Sequence, residues 1–284
     1  MSAKETFAKE ADLCAAFIEC LPDSWTAYPE TGGFDILLVR KADGMQIGVE
    51  AKLRLNAKVV TQAAESLSTY RVAHPSPDCR AVLVPAGVSS DLAGVCQLLG
   101  ITVISMRALV RNDRGEVVWY GKDRTMARLA SGGYSYPFQP RLPEAKSITA
   151  DDDWHERCPV ARLKLPDWVP DVVAGDTAPV ALTPWKVGAI KLVVTLQRRG
   201  YLTRQDFAHF KISMSRWTQQ RWLVKDGQGG WIAGPYMPDF KAQHPVNFDQ
   251  IAADFEKWQP PVAAATKGVV VGELFPASET GKAA

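Results

Sequence analysis

Apolar residues at helical spacing open the chain. Phe7, Cys14, Phe17 and Leu21 fall on one stripe with Ala11 and Ile18 beside it, which predicts a helix over about residues 4 to 20. Trp25 to Glu30 then reads as a short strand. Phe34 to Val39 is an apolar run of the kind buried on both faces of a sheet, and Val49 to Leu55 alternates as a strand with one wet face. A helix from Val59 to about Ala73 follows, then a strand (Arg80 to Pro85), a helix (Ser89 to Leu99, capped by Ser89 or Ser90 and stopped by Gly100) and a strand (Ile101 to Met106). The order α-β-β-β-α-β-α-β predicts an α/β fold in which a mixed sheet is flanked by helices.

Beyond this the pattern changes. From Tyr120 to Val180 prolines recur at 137, 140, 143, 159, 166, 170 and 179, which reads as a connector with some local structure. Three helices come next: Pro184 to Arg199, ended by Gly200; one capped by Thr203 and running through Phe210; and one opened by Ser213 or Ser215 and running to about Trp222. Leu223 to Ile232 reads as strand, glycine-rich turn, strand. The expected organisation is a domain over residues 1–120, a connector over 121–182, a small α+β domain over 183–257 and a flexible tail over 258–284, where Val269-Val270-Val271 could form a short strand or docking segment.

Asp35 interrupts the apolar strand, where a lone carboxylate is costly unless paired or metal-bound. Asp43-Gly44 suits a two-residue type I′ turn, which would set Asp35 opposite Lys52 with Glu50 diagonal to it, all within reach of one divalent cation. Glu10 falls inside the apolar stripe of the first helix, where an acid aimed at the sheet suggests function. Hard oxygen ligands of this kind suit Mg²⁺, with Mn²⁺ as a substitute.

Five cysteines at positions 14, 20, 79, 96 and 158 form no C-x-x-C pair, so reduced, mostly buried thiols are expected. Asp153, His155, Glu156 and Cys158 lack the second cluster that a tetrahedral metal site needs. No signal peptide and no apolar span of membrane length is present, and a cytoplasmic protein without membrane contact is expected.

Glu10, Asp35, Glu50, Lys52 and Gln62, in this order and on these elements, resemble the PD-(D/E)xK nuclease superfamily, the restriction-endonuclease-like group that includes Holliday-junction resolvases. The resemblance covers roughly residues 4 to 110. Phe34 stands where the family pattern has proline, and position 66 is serine where some branches carry a tyrosine four residues after the glutamine. It implies a Mg²⁺-dependent deoxyribonuclease, an endonuclease in the first instance. Asp35 and Glu50 would hold the metal together with the helix-one acid Glu10, Lys52 would orient the nucleophile or steady charge on phosphate, and Gln62 would support the site.

The three helices and hairpin resemble a winged helix. Residues 184–225 carry Lys186, Lys191, Arg198, Arg199, Arg204, Lys211, Arg216, Arg221 and Lys225 against one acid, Asp206, although the whole chain has a net charge of only +2. Such a face neutralises phosphates. Arg204, Lys211, Ser215, Arg216, Gln219, Gln220, Arg221 and Lys225 are the expected DNA contacts, with duplex or branched DNA as partner and a homodimer as the form that cuts both strands. Trp217 and Trp222 are expected in the core rather than as stacking platforms. Two other readings are a nuclease fold that has lost activity and regulates or binds DNA, and a winged-helix scaffold that binds protein.

Overall fold

A computed structural model describes residues 7–65, 74–87, 91–121, 124–144, 153–176 and 181–261. The chain begins α1 (Glu10–Glu19), β1 (Trp25–Thr31), β2 (Phe34–Arg40), β3 (Gln46–Ala51), α2 (Ala57–Ala63), β4 (Cys79–Pro85), α3 (Leu92–Leu98) and β5 (Ile101–Met106). Four short strands follow, β6 (Trp119–Tyr120), β7 (Met126–Arg128), β8 (Tyr134–Ser135) and β9 (Phe138–Gln139). The remaining elements are α4 (Pro184–Arg199), α5 (Arg204–His209), α6 (Met214–Gln219), β10 (Leu223–Lys225), β11 (Trp231–Ala233), α7 (Phe240–Gln243), α8 (Pro245–Ala253) and α9 (Phe255–Trp258). None of the described helices is long and apolar enough to cross a membrane.

Contacts divide the chain into two units, Met1–Val187 with Asp239–Ile251, and Gly188–Pro238 with Ala252–Ala284. The first is α/β. Its six-stranded sheet has the order β1-β2-β3-β4-β5-β9, antiparallel from β1 to β3, parallel from β3 to β5, and antiparallel again at β9. The β3-α2-β4 and β4-α3-β5 crossovers account for the parallel pairs, because a parallel connection needs a dozen or more residues.

Leu13, Cys14 and Phe17 of α1 pack against Ile36, Leu38, Ile47, Val49, Ala81 and Leu83 on one face of the sheet. Val59, Val60 and Ala63 of α2 and Cys96 of α3 pack with Val82 and Val84 on the other. A third cluster joins Phe34, Leu37 and Val39 to Leu163 and Leu165 of the proline-rich segment. The side-chain amide of Gln46 grips that segment at two points, donating to the Leu163 carbonyl and accepting from its N–H, both at 2.9 Å.

The β2–β3 register differs from the sequence expectation. The two-residue turn with both residues at positive φ lies one hairpin earlier, at Gly32-Gly33, between the paired residues Thr31 and Phe34. Between β2 and β3 the loop spans residues 41–44, closed by the Arg40 N–H on the Met45 carbonyl at 2.8 Å. Asp43 accepts from the Arg40 side chain and from the Met45 N–H, and only Gly44 takes positive φ. The longer loop shifts the pairing by two residues, so Ile36 faces Val49 and Asp35 stands level with Glu50 rather than Lys52. A shift of two keeps every side chain on its expected face.

Other boundaries move less. α1 begins at Glu10, with residues 1–6 outside the described residues. α2 spans Ala57–Ala63, and the expected continuation through residues 66–73 lies outside the described residues, as do the proposed caps Ser89 and Ser90 and the segment Val269 to Val271. α3 is stopped by Gly100 at φ +63° as expected.

Among the described residues the second unit holds α4 from Gly188 onward, α5, α6, the antiparallel hairpin β10–β11 and α9, the first three helices and the hairpin in the expected order. α6 ends at Gln219, one turn short of Trp222, and Arg221 sits at positive φ. Trp217 is fully buried and packs edge-on against Phe207 and Trp222, so its expected core role holds.

Gly48 faces Leu37 in β3, and the Phe34 ring lies over it: an added Cβ would stand 2.6 Å from that ring. Gly48→Ala should therefore destabilise the first unit by about 1–3 kcal/mol through overpacking. Urea unfolding measures this, and an unchanged midpoint would place the Phe34 ring elsewhere.

Candidate active site

Asp35 lies near the start of β2, and its Oδ2 accepts the Ala51 N–H at 2.7 Å. Lys52 immediately follows β3, where the Leu83 carbonyl of β4 accepts its N–H at 2.9 Å. Its ammonium donates to Glu10 Oε2 at 2.7 Å and stands 3.9 Å from Asp35 Oδ2. Glu10 is in the first turn of α1, three, four and seven residues before the buried Leu13, Cys14 and Phe17, so the packing of that stripe brings its carboxylate to the end of the sheet.

Glu50 is 5% exposed. By strand alternation it shares the face of Gly48, opposite Ile47, Val49 and Ala51, and it is paired in register with Val82 beneath α2. Gln62 lies on that helix; none of the other four side chains bonds to it, and its Oε1 is buried without a hydrogen-bond partner.

A further acid enters that the sequence reading missed. Pro29 pairs with Ile36 and Thr31 with Phe34, so Glu30 stands level with Asp35. Glu30, Asp35 and Glu50 thus occupy one level of three neighbouring strands. The available sequence signal was the Gly32-Gly33 turn, which sets this register. Glu30 adopts φ +48°, an uncommon conformation for a side chain of this kind, and accepts the Gly175 N–H at 2.8 Å. Gly175 itself leaves no room for a side chain, since a Cβ there would meet Cys14 Sγ at 2.9 Å and the Glu10 carbonyl at 3.3 Å.

These charges act on one another. Burial, followed by the negative charge of Asp35, pushes the Glu50 carboxyl from an ordinary 4.5 up to about 7. Burial also raises Asp35, against the lowering effects of the Ala51 N–H and Lys52. It raises Glu30, against the Gly175 N–H. For Lys52 burial works against the charged form, but the bond to Glu10 and the charges of Asp35, Glu10 and Glu50 outweigh it and hold its pKa above the usual lysine value. Cys14 is kept protonated by burial and then by Asp35, Glu30 and Glu10.

Four acids therefore gather around one lysine, an excess of negative charge in a partly dehydrated place. Among the described residues no three His, Cys, Asp or Glu side chains converge closely enough to ligate one ion. Glu10 is turned to Lys52 and Glu30 accepts the Gly175 N–H, which leaves Asp35 and Glu50 as the two acids nearest one another across β2 and β3 without an ammonium within 3 Å. Two carboxylates are what Mg²⁺ commonly takes from a protein, keeping several of its waters. The donor set fits such an ion.

In the second unit all eight expected DNA contacts, Arg204, Lys211, Ser215, Arg216, Gln219, Gln220, Arg221 and Lys225, are exposed. The single acid Asp206 is buried, where it accepts from Thr203 and pairs with Arg199. Lys191 and Arg198 lie over the rings of Trp258 and Phe255.

Comparison of the chain with protein-family models, with curated proteins and with solved structures found no match.

Because the folded protein holds the Glu50 proton more tightly than the unfolded chain, stability should fall as pH rises between roughly 4.5 and 7, by up to about 3 kcal/mol. Glu50→Gln removes that dependence and should melt higher than the wild type at about pH 8. Millimolar Mg²⁺ should raise the wild-type melting temperature above pH 7 and leave Glu50→Gln unmoved. Equal melting curves for the two proteins across this range would contradict the placement of Glu50.

Proposed function

We propose that the first unit is a divalent-cation-dependent deoxyribonuclease of the PD-(D/E)xK type, and that the second unit is a winged helix that brings it to duplex or branched DNA. The observation that carries this reading is the meeting of Asp35, Glu50 and Lys52 at the ends of two hydrogen-bonded strands, with Glu10 reaching them from the first helix. The element order and the change from antiparallel to parallel pairing at β3 agree with it.

Asp35 and Glu50 would hold the cation. Bound there, Mg²⁺ or Mn²⁺ would supply a more acidic water and offset negative charge on phosphate. Lys52 has three N–H donors and directs one to Glu10, which fixes the ammonium and leaves two for the oxygens of a scissile phosphate. The Ala51 N–H on Asp35 holds that carboxylate in one orientation, so little rearrangement is needed when DNA arrives. In the second unit, the exposed basic and amide side chains of α6 and the hairpin offer phosphate and base-edge contacts.

Glu10 on Lys52, and the lack of three converging acids among the described residues, favour one other reading: a nuclease fold that binds DNA without cutting it. Cleavage of supercoiled plasmid separates the two. Asp35→Asn and Lys52→Ala should each reduce metal-dependent nicking by about a hundredfold or more while leaving DNA affinity unchanged. EDTA should abolish nicking. Wild-type cutting by Asp35→Asn would refute the site, and salt-sensitive binding without any cutting would favour the regulator.

Arg216→Ala combined with Arg221→Ala should weaken DNA binding and lower the slope of log affinity against log salt by about 2. An unchanged slope would exclude these residues from the interface.

A further inference from the structure

A cavity of about 630 Å³ opens at the other end of α1 and β1 from the acids, and it belongs wholly to the first unit. Its walls include Trp25, Trp119, Tyr136 and Phe138, with Arg124 and Arg141 supplying positive charge; of its acids, Glu19 is paired with Arg111 and Glu144 with Arg141, and Asp23 lies at the α1 end. This volume lies within the usual range for small-molecule and cofactor sites, roughly 300–1,000 Å³. Aromatic faces combined with guanidinium groups suit a ligand with a flat π-system and an anionic group.

Arg141 is placed for exchange. Its backbone is anchored by the Trp154 indole N–H on its carbonyl at 2.8 Å, and its guanidinium stands 5.0 Å from the Tyr136 ring centroid. Its ion pair with Glu144, at 3.3 Å, joins side chains that are 56% and 73% exposed, a kind of pair that contributes little and yields readily to a better anion. β6, β7 and β8 pair as a three-stranded sheet, and on it, next to Trp119, Tyr120 and Tyr134 stack at 4.1 Å and are 55% and 47% exposed. The stretch from 107 to 141 holds seven basic residues (Arg107, Arg111, Arg114, Lys122, Arg124, Arg128, Arg141) and three acids (Asp113, Glu116, Asp123). Solvent-facing rings within a basic stretch are the means by which proteins hold single-stranded nucleic acid.

We propose that this cavity binds a nucleotide: an unstacked base against Trp119 and Tyr136, with its phosphate on Arg124 and Arg141. From Glu10 to the last turn of α1 is about 13 Å, and from Trp25 to Glu30 about 17 Å. The base would thus be held about 15 Å from the acids, a few nucleotides along the same strand. Binding in this cavity depends on its own side chains and needs no metal.

The test is photo-crosslinking of the full-length protein in EDTA, with a single-stranded DNA oligomer carrying 5-iododeoxyuridine and, in parallel, with free 5-iododeoxyuridine monophosphate. Adducts are mapped by peptide mass spectrometry. An adduct on Trp119 or Tyr136 is expected, reduced about tenfold or more by Arg124→Ala with Arg141→Ala. Both arginines are exposed, and an unchanged melting temperature verifies the fold of the double variant. Labelling by the oligomer alone assigns the pocket to a DNA strand, whereas labelling by both probes extends it to free nucleotides. No adduct at Trp119 or Tyr136, or one that persists in the double variant, overturns the proposal. Crosslinking here without plasmid cleavage would leave this site standing and remove the nuclease reading alone.

Discussion

Like charges held side by side at the end of a sheet are the constraint on which the first unit depends. Strand pairing places Glu30, Asp35 and Glu50 at one level of β1, β2 and β3, and Glu50, on the face that α2 covers, is nearly dry. Burial, and after it the charge of Asp35, raises the Glu50 carboxyl to about 7, and burial raises Asp35 as well, with Lys52 offsetting only part of the effect. Such an arrangement raises the energy of the apo fold at neutral pH and favours whatever brings positive charge. Stability is given up locally where these acids meet.

The rest of the first unit holds this arrangement in place. The α1 stripe anchors Glu10, which in turn fixes the Lys52 ammonium. The proline-rich segment is no loose tether here: Gln46 holds it at Leu163, Arg162 pairs with Asp78, and Asp171 accepts the Val246 and Asn247 N–H groups at the start of α8. Its Gly175 then reaches Glu30, beside Cys14 and Glu10. A residue more than 100 positions away along the chain thereby orients an acid of the site, because a long-range backbone N–H can stabilise a carboxylate that is short of water.

The second unit spends part of its charge internally and presents the rest. Arg199 neutralises the buried Asp206, which also closes the first turn of α5, while Lys191 and Arg198 lie over aromatic rings. Arg204, Lys211, Arg216, Arg221 and Lys225 stay exposed, and the one acid of residues 184–225, Asp206, is buried, so no acid offsets them at the surface of this stretch.

Element order was legible because it depends on local signals: the Phe7-to-Leu21 stripe, the aliphatic strands, the glycine stops at 100 and 200, and the turn at 227–230. That Asp35 on one strand and Glu50 and Lys52 on the next belong to one hairpin was legible for the same reason, since hairpins are local. The exact register was not. Asp43 bonds to Arg40 instead of forming a two-residue turn, and that choice exists only when the Arg40 side chain is in place. Glu30 and Gly175 were hidden because they act through a tertiary contact 145 positions apart. The raised pKa of Glu50 depends on the layers that exclude water from it. By itself the sequence determined which elements form and which acids and lysine they carry, because periodicity, caps and turns are local; only the tertiary structure decided which of those charges meet and in what environment, because burial and long-range hydrogen bonds arise from the assembled chain.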